Sequence, residues 1–145
     1  MIRFLEQKDL DNWTSLYNAY AKFYKVPMNK EILETLWRWI HDDSHIVNGI
    51  CYELKEKIVG IAHYRTMPRP INGKYIGFLD DLFVDPDFRG QKIAQRLINH
   101  LESLSKDNNW DGIRWITHSS NENAKKLYDK IANNTGFELY ELKRN

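Results

Sequence analysis

Residues 78–97 read FLDDLFVDPDFRGQKIAQRL. The strand this begins in, 75–84 (YIGFLDDLFV), is rich in apolar and aromatic residues and stops at Pro86. From about residue 91 the period becomes helical. Ile93, Ala94, Leu97, Ile98, Leu101 and Leu104 form one stripe to about residue 106. Between strand and helix lies Arg89-Gly90-Gln91-Lys92. A helix start exposes unpaired backbone N–H groups and the positive end of the dipole, a natural seat for phosphate. Gly90 lets the backbone approach an anion, and Arg89 and Lys92 add charge. Basic residues at a helix start also run against the dipole preference, so an ordinary solvated turn is served equally well. Neither GxxxxGK[ST] nor GxGxxG nor GxSxG occurs, which argues against a P-loop, a dinucleotide fingerprint and a nucleophile elbow.

Outward from this corner, strands and helices alternate. Residues 2–6 (IRFLE) predict a strand, and Asp9 an N-cap for a helix carrying Leu10, Trp13, Leu16, Tyr17, Tyr20 and Tyr24. After Pro27 a second helix starts near Lys30, with Ile32, Leu33, Leu36, Trp37 and Ile40 at helical spacing. Strands follow at 46–54 and 58–66, joined by a short charged turn at Lys55-Glu56-Lys57. Pro68, Pro70 and Asn72-Gly73 mark a loop, and 108–112 a turn. Residues 113–118 predict a strand, Asn121 caps a helix bearing Ala124, Leu127, Tyr128 and Ile131, and 137–143 (FELYELK) predict a last strand. The order β-α-α-β-β-β-α-β-α-β lets helices cover both faces of one mixed sheet, an α/β (α+β) fold.

A chain of 145 residues is expected to form one domain, 1–145. A net charge of +1 argues against a nucleic-acid partner. The apolar runs are too short to span a bilayer, and the N-terminus turns acidic too early for a signal peptide. Cys51 stands alone, which excludes an internal disulfide and a cysteine zinc site and suits a cytoplasmic protein. His41 and His45 have i,i+4 spacing, but Asp42, Asp43 and Ser44 between them read as a fraying helix end, and no metal is expected. His63 and His118 fall on strands without a partner motif.

The stretch 82–98, LFVDPDFRGQKIAQRLI, resembles the acyl-CoA-binding segment of the GNAT superfamily of N-acetyltransferases. That signature is Arg/Gln-x-x-Gly-x-Gly/Ala, and it stands here as Arg89-Gly90-Gln91-Lys92-Ile93-Ala94, with Lys92 where the family usually has glycine. Any non-proline residue supplies a backbone N–H, and a helix start is not expected to demand a positive φ there. A second block, Asn121 to Tyr128, resembles the family's Asn-x-x-Ala-x-x-x-Tyr helix. Seven residues, DKIANNT, then precede Gly136-Phe137, about one helical turn more than is usual in the family.

The resemblance implies a mostly antiparallel central sheet flanked by helices on both faces, and acetyl-CoA as donor. Leu82, Phe83 and Val84 would pair their backbone with the pantetheine arm. Arg89, Gly90, Gln91, Lys92, Ile93, Ala94 and Gln95 would hold the diphosphate, and Asn121 and Ala124 would flank the arm. Tyr128 would protonate the departing thiolate, and a backbone N–H of 82–84 would meet the oxyanion. Asp80 and Asp81 resemble a carboxylate pair of the polyamine-acetylating branch. Neighbours on a strand point to opposite faces, so one is expected to face the acceptor: Asp80 as base, with Asp81 behind it or binding the amine. Tyr24, Glu31 and Trp37 lie in the region that builds the family's acceptor pocket, where aromatics serve as core or cage an alkylammonium. The expected activity is acetylation of a primary amine, a small amine or polyamine first. Alternatives are a protein lysine or N-terminus as acceptor, or a non-catalytic acyl-CoA sensor. A homodimer is implied by the resemblance alone.

Overall fold

The computed structural model describes residues 1–144. It contains β1 (Ile2–Phe4), α1 (Leu10–Phe23), α2 (Lys30–Ile40), β2 (Val47–Leu54), β3 (Lys57–Arg69), β4 (Lys74–Val84), α3 (Ile93–Asp107), β5 (Ile113–Trp115) and α4 (Glu122–Ile131). The strands lie in chain order in one sheet. β1 to β4 pair antiparallel, and β4 and β5 pair parallel. Consecutive antiparallel strands need only short connections. Lys55 and Glu56, at φ 51° and 64°, form the two-residue turn between β2 and β3, the handedness that suits twisted strands.

Each face of the sheet carries its own core. On one face Trp13, Leu16 and Trp37 from α1 and α2 pack on Cys51, Ile61 and Phe83. On the other, Ile93, Leu97, Ile98 and Leu101 of α3 pack on Ile50, Val59, Ala62, Tyr64 and Leu79, with Tyr128 and Ile131 of α4 against them. The helical stripe read in the sequence thus meets the alternating residues of the strands. Gly77 accommodates the Trp110 ring, which would lie 2.5 Å from any Cβ there.

Two local expectations fail. Asp9 does not cap α1; its carboxylate turns back to accept from Arg3 and from the Glu6 backbone N–H. Residues 137–143 form no strand, and the segment after Ala132 is exposed. Alternating apolar residues give strand propensity but not a strand partner, and none of the described residues pairs with this segment.

Candidate active site

Two strands position the candidate carboxylates. His63 pairs with Asp81 and Tyr64 with Leu79, so Asp80 is an additional residue in β4. This bulge overturns the expectation that Asp80 and Asp81 face opposite ways: both line one cavity. An additional residue breaks the two-residue alternation and turns a second side chain to the same face.

The two carboxylates differ in surroundings. Asp81 accepts from the Tyr17 hydroxyl (3.0 Å), the Tyr20 hydroxyl (2.8 Å) and His63 Nδ1 (2.8 Å). The Trp13 indole N–H donates to His63 Nε2 at 2.9 Å. An indole nitrogen only donates, so His63 Nε2 is bare and Nδ1 carries the hydrogen given to Asp81. Burial alone would raise the Asp81 carboxyl, but the bonds from His63, Tyr20 and Tyr17 outweigh it and hold it below the ordinary carboxylate range. Among the described residues Asp80 is bonded only to the Arg65 guanidinium, at 3.1 Å. Its burial prevails over that cation and raises its carboxyl above the ordinary value.

The cavity measures about 700 Å³, within the range of small-molecule sites. Glu31, Ile32, Thr35 and Trp39 of α2 contribute to its wall, with His45, Arg65, Asp80 and Asp81 among the polar groups. Trp37, expected in this pocket, lies in the core instead. It packs 4.8 Å from Trp13, and its indole N–H donates to Gln7. Residues 33, 37 and 40 of α2 pack inward, 31, 32, 35 and 39 line the cavity, and Leu36 at the boundary does both, as a 3.6-residue period imposes. Tyr24 is not on this wall; its hydroxyl is 3.4 Å from the Asn121 amide. His45 stacks on Trp39, and His41 lies tilted against Trp37, with ring centroids 4.3 Å apart.

The other side of β4 is open. Among the described residues β5 pairs only with Gly77, Phe78 and Leu79. From Asp80 to Val84, β4 therefore has β3 on one side and no strand on the other. Such an edge offers backbone donors and acceptors to an extended ligand. It leads through a turn at Pro86–Phe88 into α3. The first intrahelical bond there runs from Arg96 to the Lys92 carbonyl, which leaves the amides of Ile93, Ala94 and Gln95 without helix partners. Gly90 has φ 81°. Arg89 donates from Nε to the Val84 carbonyl at 3.2 Å, and its guanidinium lies 5.2 Å from the Phe23 ring and 5.4 Å from Phe83.

Lys92 adopts φ 62°, so the helix start does demand the left-handed region here, contrary to expectation. A residue with a Cβ is strained in that region by about 1 kcal/mol or more. Lys92→Gly is accordingly expected to raise stability by about 0.5–1 kcal/mol. The urea midpoint of the variant checks this, and an unchanged or lowered midpoint contradicts it.

Tyr128 is half-buried and meets Trp115 edge-on, with ring centroids 5.4 Å apart. Burial, with a smaller contribution from Tyr24, pushes its phenol up to about 12. Asn121 caps α4 through Ala124 N–H at 3.4 Å, and its amide reaches Thr117 and Tyr24. The structure therefore gathers Asp80, Asp81 and Glu31 at one cavity and Asn121 and Tyr24 beside α4, while Trp37 belongs to neither. Sequence reasoning missed Tyr17, Trp13 and Arg65 as site residues, and it found no partner for His63. Strand alternation was the available signal: His63 and Arg65 follow Ile61 at two-residue steps on the face that carries Phe83.

Comparison with known proteins gives consistent matches. The model of the Acetyltransferase (GNAT) family matches residues 13–132. The D-amino-acid N-acetyltransferase HPA3 of Saccharomyces cerevisiae is 26% identical over 147 residues, covering 100% of this chain and 90% of that protein. The thialysine N-epsilon-acetyltransferase of Caenorhabditis elegans is 25% identical over 118 residues, covering 81% of this chain and 72% of the relative. Among solved structures, the aminoglycoside N-acetyltransferase AAC(6')-Iy in complex with CoA superposes with a TM-score of 0.76 at 16% identity, covering 100% of this chain and 99% of that one.

Proposed function

Because this chain belongs to the Acetyltransferase (GNAT) family, we propose that it moves an acetyl group from acetyl-CoA directly to the primary amine of a small amine or polyamine. The observation that carries this reading is the unpaired edge of β4, which runs from the carboxylate-lined cavity to the open start of α3. Residues and cofactor fit on that ground. The backbone of Leu82, Phe83 and Val84 would hold the pantetheine arm. The amides from Gly90 to Gln95 would hold the diphosphate, with Arg89 braced behind them, and Asn121 and Ala124 would border the arm. Acetyl-CoA supplies the thioester whose acyl group is transferred.

The remaining work falls to side chains of this chain. An amine attacks only when neutral, so Asp80 accepts its proton, directly or through water. A backbone N–H of 82–84 donates to the oxygen that gains charge. Tyr128 holds a proton for the departing sulfur. Glu31, Asp80 and Asp81 against the one guanidinium of Arg65 favour a cationic acceptor, and Trp39 offers it an aromatic face. Residues 1–145 act as one catalytic domain, as a homodimer in a reducing, cytoplasmic setting, with neither nucleic acid nor membrane as partner. No helix among the described residues is long and apolar enough to cross a membrane.

The test is a panel of diamines, polyamines, amino acids and peptides incubated with acetyl-CoA while free thiol is followed. Thiol release with diamines or polyamines is expected. Binding of CoA without release by any amine class overturns the reading and leaves a sensor. The pH dependence bears on Asp80. As the base it works ionised, so activity is lost as pH falls through its raised carboxyl value. Asp80→Asn is expected to lower kcat/KM by about 10²-fold and to abolish that acidic limb. A variant that keeps the limb assigns it to another group.

A further inference from the structure

A carboxylate beside an imidazole favours the imidazolium form. His63 stands 2.8 Å from Asp81, yet its other nitrogen is already engaged by Trp13. Positions 13, 17 and 20 share one face of α1, which sets one indole and two phenols over β3 and the bulge of β4. Trp13 is wholly buried, with the Tyr17 and Trp37 ring centroids 5.5 and 4.8 Å away, and His63 is 1% exposed. An imidazolium carries hydrogen on both nitrogens, and a hydrogen on Nε2 would point at the indole N–H. Protonation of His63 therefore breaks the Trp13 bond and leaves a donor unpaired in the core. Close packing leaves neither ring room to turn away.

We propose that Trp13 is a positioning residue for the base: it keeps His63 neutral, so that the charge of Asp81 stays uncompensated beside Asp80. The proposal rests on the reading of Asp80 as the proton acceptor. Tyr17 and Tyr20 steady the Asp81 anion with neutral hydrogen bonds and cancel none of its charge. The other charged or titratable groups facing the two carboxyls are Arg65 of β3, bonded to Asp80, and Glu31 of α2 and His45 after it on the cavity wall. Arg65 is the one permanent cation among them. Asp81 lies below the ordinary carboxylate range and Asp80 above it, so Asp81 is ionised where Asp80 titrates. At Asp80 burial is the larger cause, and the Asp81 charge adds to it by opposing a second negative charge. A cation at His63 would offset that charge and make Asp80 the weaker base.

Imidazole nitrogen-15 and carboxyl carbon-13 NMR of the full chain tests it, with no acceptor present. Wild-type His63 is expected as the Nδ1–H tautomer, unprotonated through the pH range in which Asp80 titrates. Trp13→Phe keeps a ring in the core and frees Nε2, and its His63 is expected to take up a proton on acidification. Asp80 should then titrate at least about one pH unit lower, the effect of a unit charge within about 10 Å at an effective dielectric of about 20. His63→Gln keeps a donor and an acceptor but can carry no charge, and is expected to leave the Asp80 titration in place. The acid limb of kcat/KM should follow Asp80 in all three proteins. A wild-type imidazolium or Nε2–H tautomer overturns the proposal. So does a Trp13→Phe protein in which Asp80 titrates as before, or a His63→Gln protein in which it titrates higher. Should Trp13→Phe not fold, the wild-type spectra and His63→Gln decide. Titrations as expected with a limb that does not follow them overturn Asp80 as the base, whereas the titrations alone overturn the action of Trp13.

Discussion

Replacing Tyr128 by phenylalanine is expected to lower kcat by roughly 10²–10³-fold while leaving CoA affinity unchanged. The substitution removes one hydroxyl and keeps the ring, so the edge-on contact with Trp115 and the packing of α4 on the core survive. Neither depends on the oxygen. A phenol raised to about 12 by burial stays protonated throughout the neutral range. It therefore has a proton to give at every working pH and contributes no alkaline limb near neutrality. Without it the thiolate must leave unprotonated or wait for water. Steady-state thiol release measures kcat, and calorimetry with CoA measures affinity. An unchanged kcat removes Tyr128 from the mechanism and turns attention to Tyr24, whose hydroxyl also approaches Asn121.

Local sequence carries the corner between β4 and α3, and long-range pairing decides the cavity. Strand, proline turn, glycine and helical stripe lie within residues 78–97, and each acts on its near neighbours, so β4, the turn and α3 form as read. The bulge at Asp80 was illegible because it exists only in the register of β3 against β4. No local feature shows which residue of a strand will lack a partner. The same register joins His63 to Asp81, 18 residues on, and the fold brings Trp13 to His63 across 50. Trp37 departs from expectation for another reason. The α2 period shows two faces but not which one meets the sheet, and Trp37 fell on the inward one. Alternation over 137–143 specifies an extended chain and says nothing of the edge it needs.

The bulge also divides the chemistry of two adjacent carboxyls. Asp80 and Asp81 share a cavity, yet burial prevails at one and hydrogen bonding at the other. An acid whose lone pairs already serve two phenols and an imidazole has little capacity left for a substrate proton. An acid beside a single guanidinium keeps more. Separation of two neighbouring carboxyls by environment supports the proposed division of roles: Asp80 as the proton acceptor, with Asp81 bonded to α1 and β3.

Asp81→Ala is therefore expected to cost stability before anything else, about 3–4 kcal/mol at neutral pH. The change strands the His63 Nδ1–H, in a side chain only 1% exposed, together with the Tyr17 and Tyr20 hydroxyls. An unsatisfied buried donor costs about 1–3 kcal/mol. The two hydroxyls rotate toward the cavity and recover part of theirs, while the imidazole is fixed by Trp13. A loss of 3 kcal/mol in a domain of this size lowers Tm by roughly 10 °C. Acid provides the control. The folded Asp81 carboxyl sits below its value in the unfolded chain, so its ionised form contributes stability above the unfolded value. That contribution disappears as pH falls through the lower folded one. The gap between wild type and variant should thus be widest near neutrality and begin to narrow below about pH 4, where the unfolded carboxyl takes up its proton. Urea midpoints at both pH values measure it. A neutral-pH gap under about 1 kcal/mol would mean that water replaces the carboxylate at little cost, and the network would then not be what fastens α1 to the sheet.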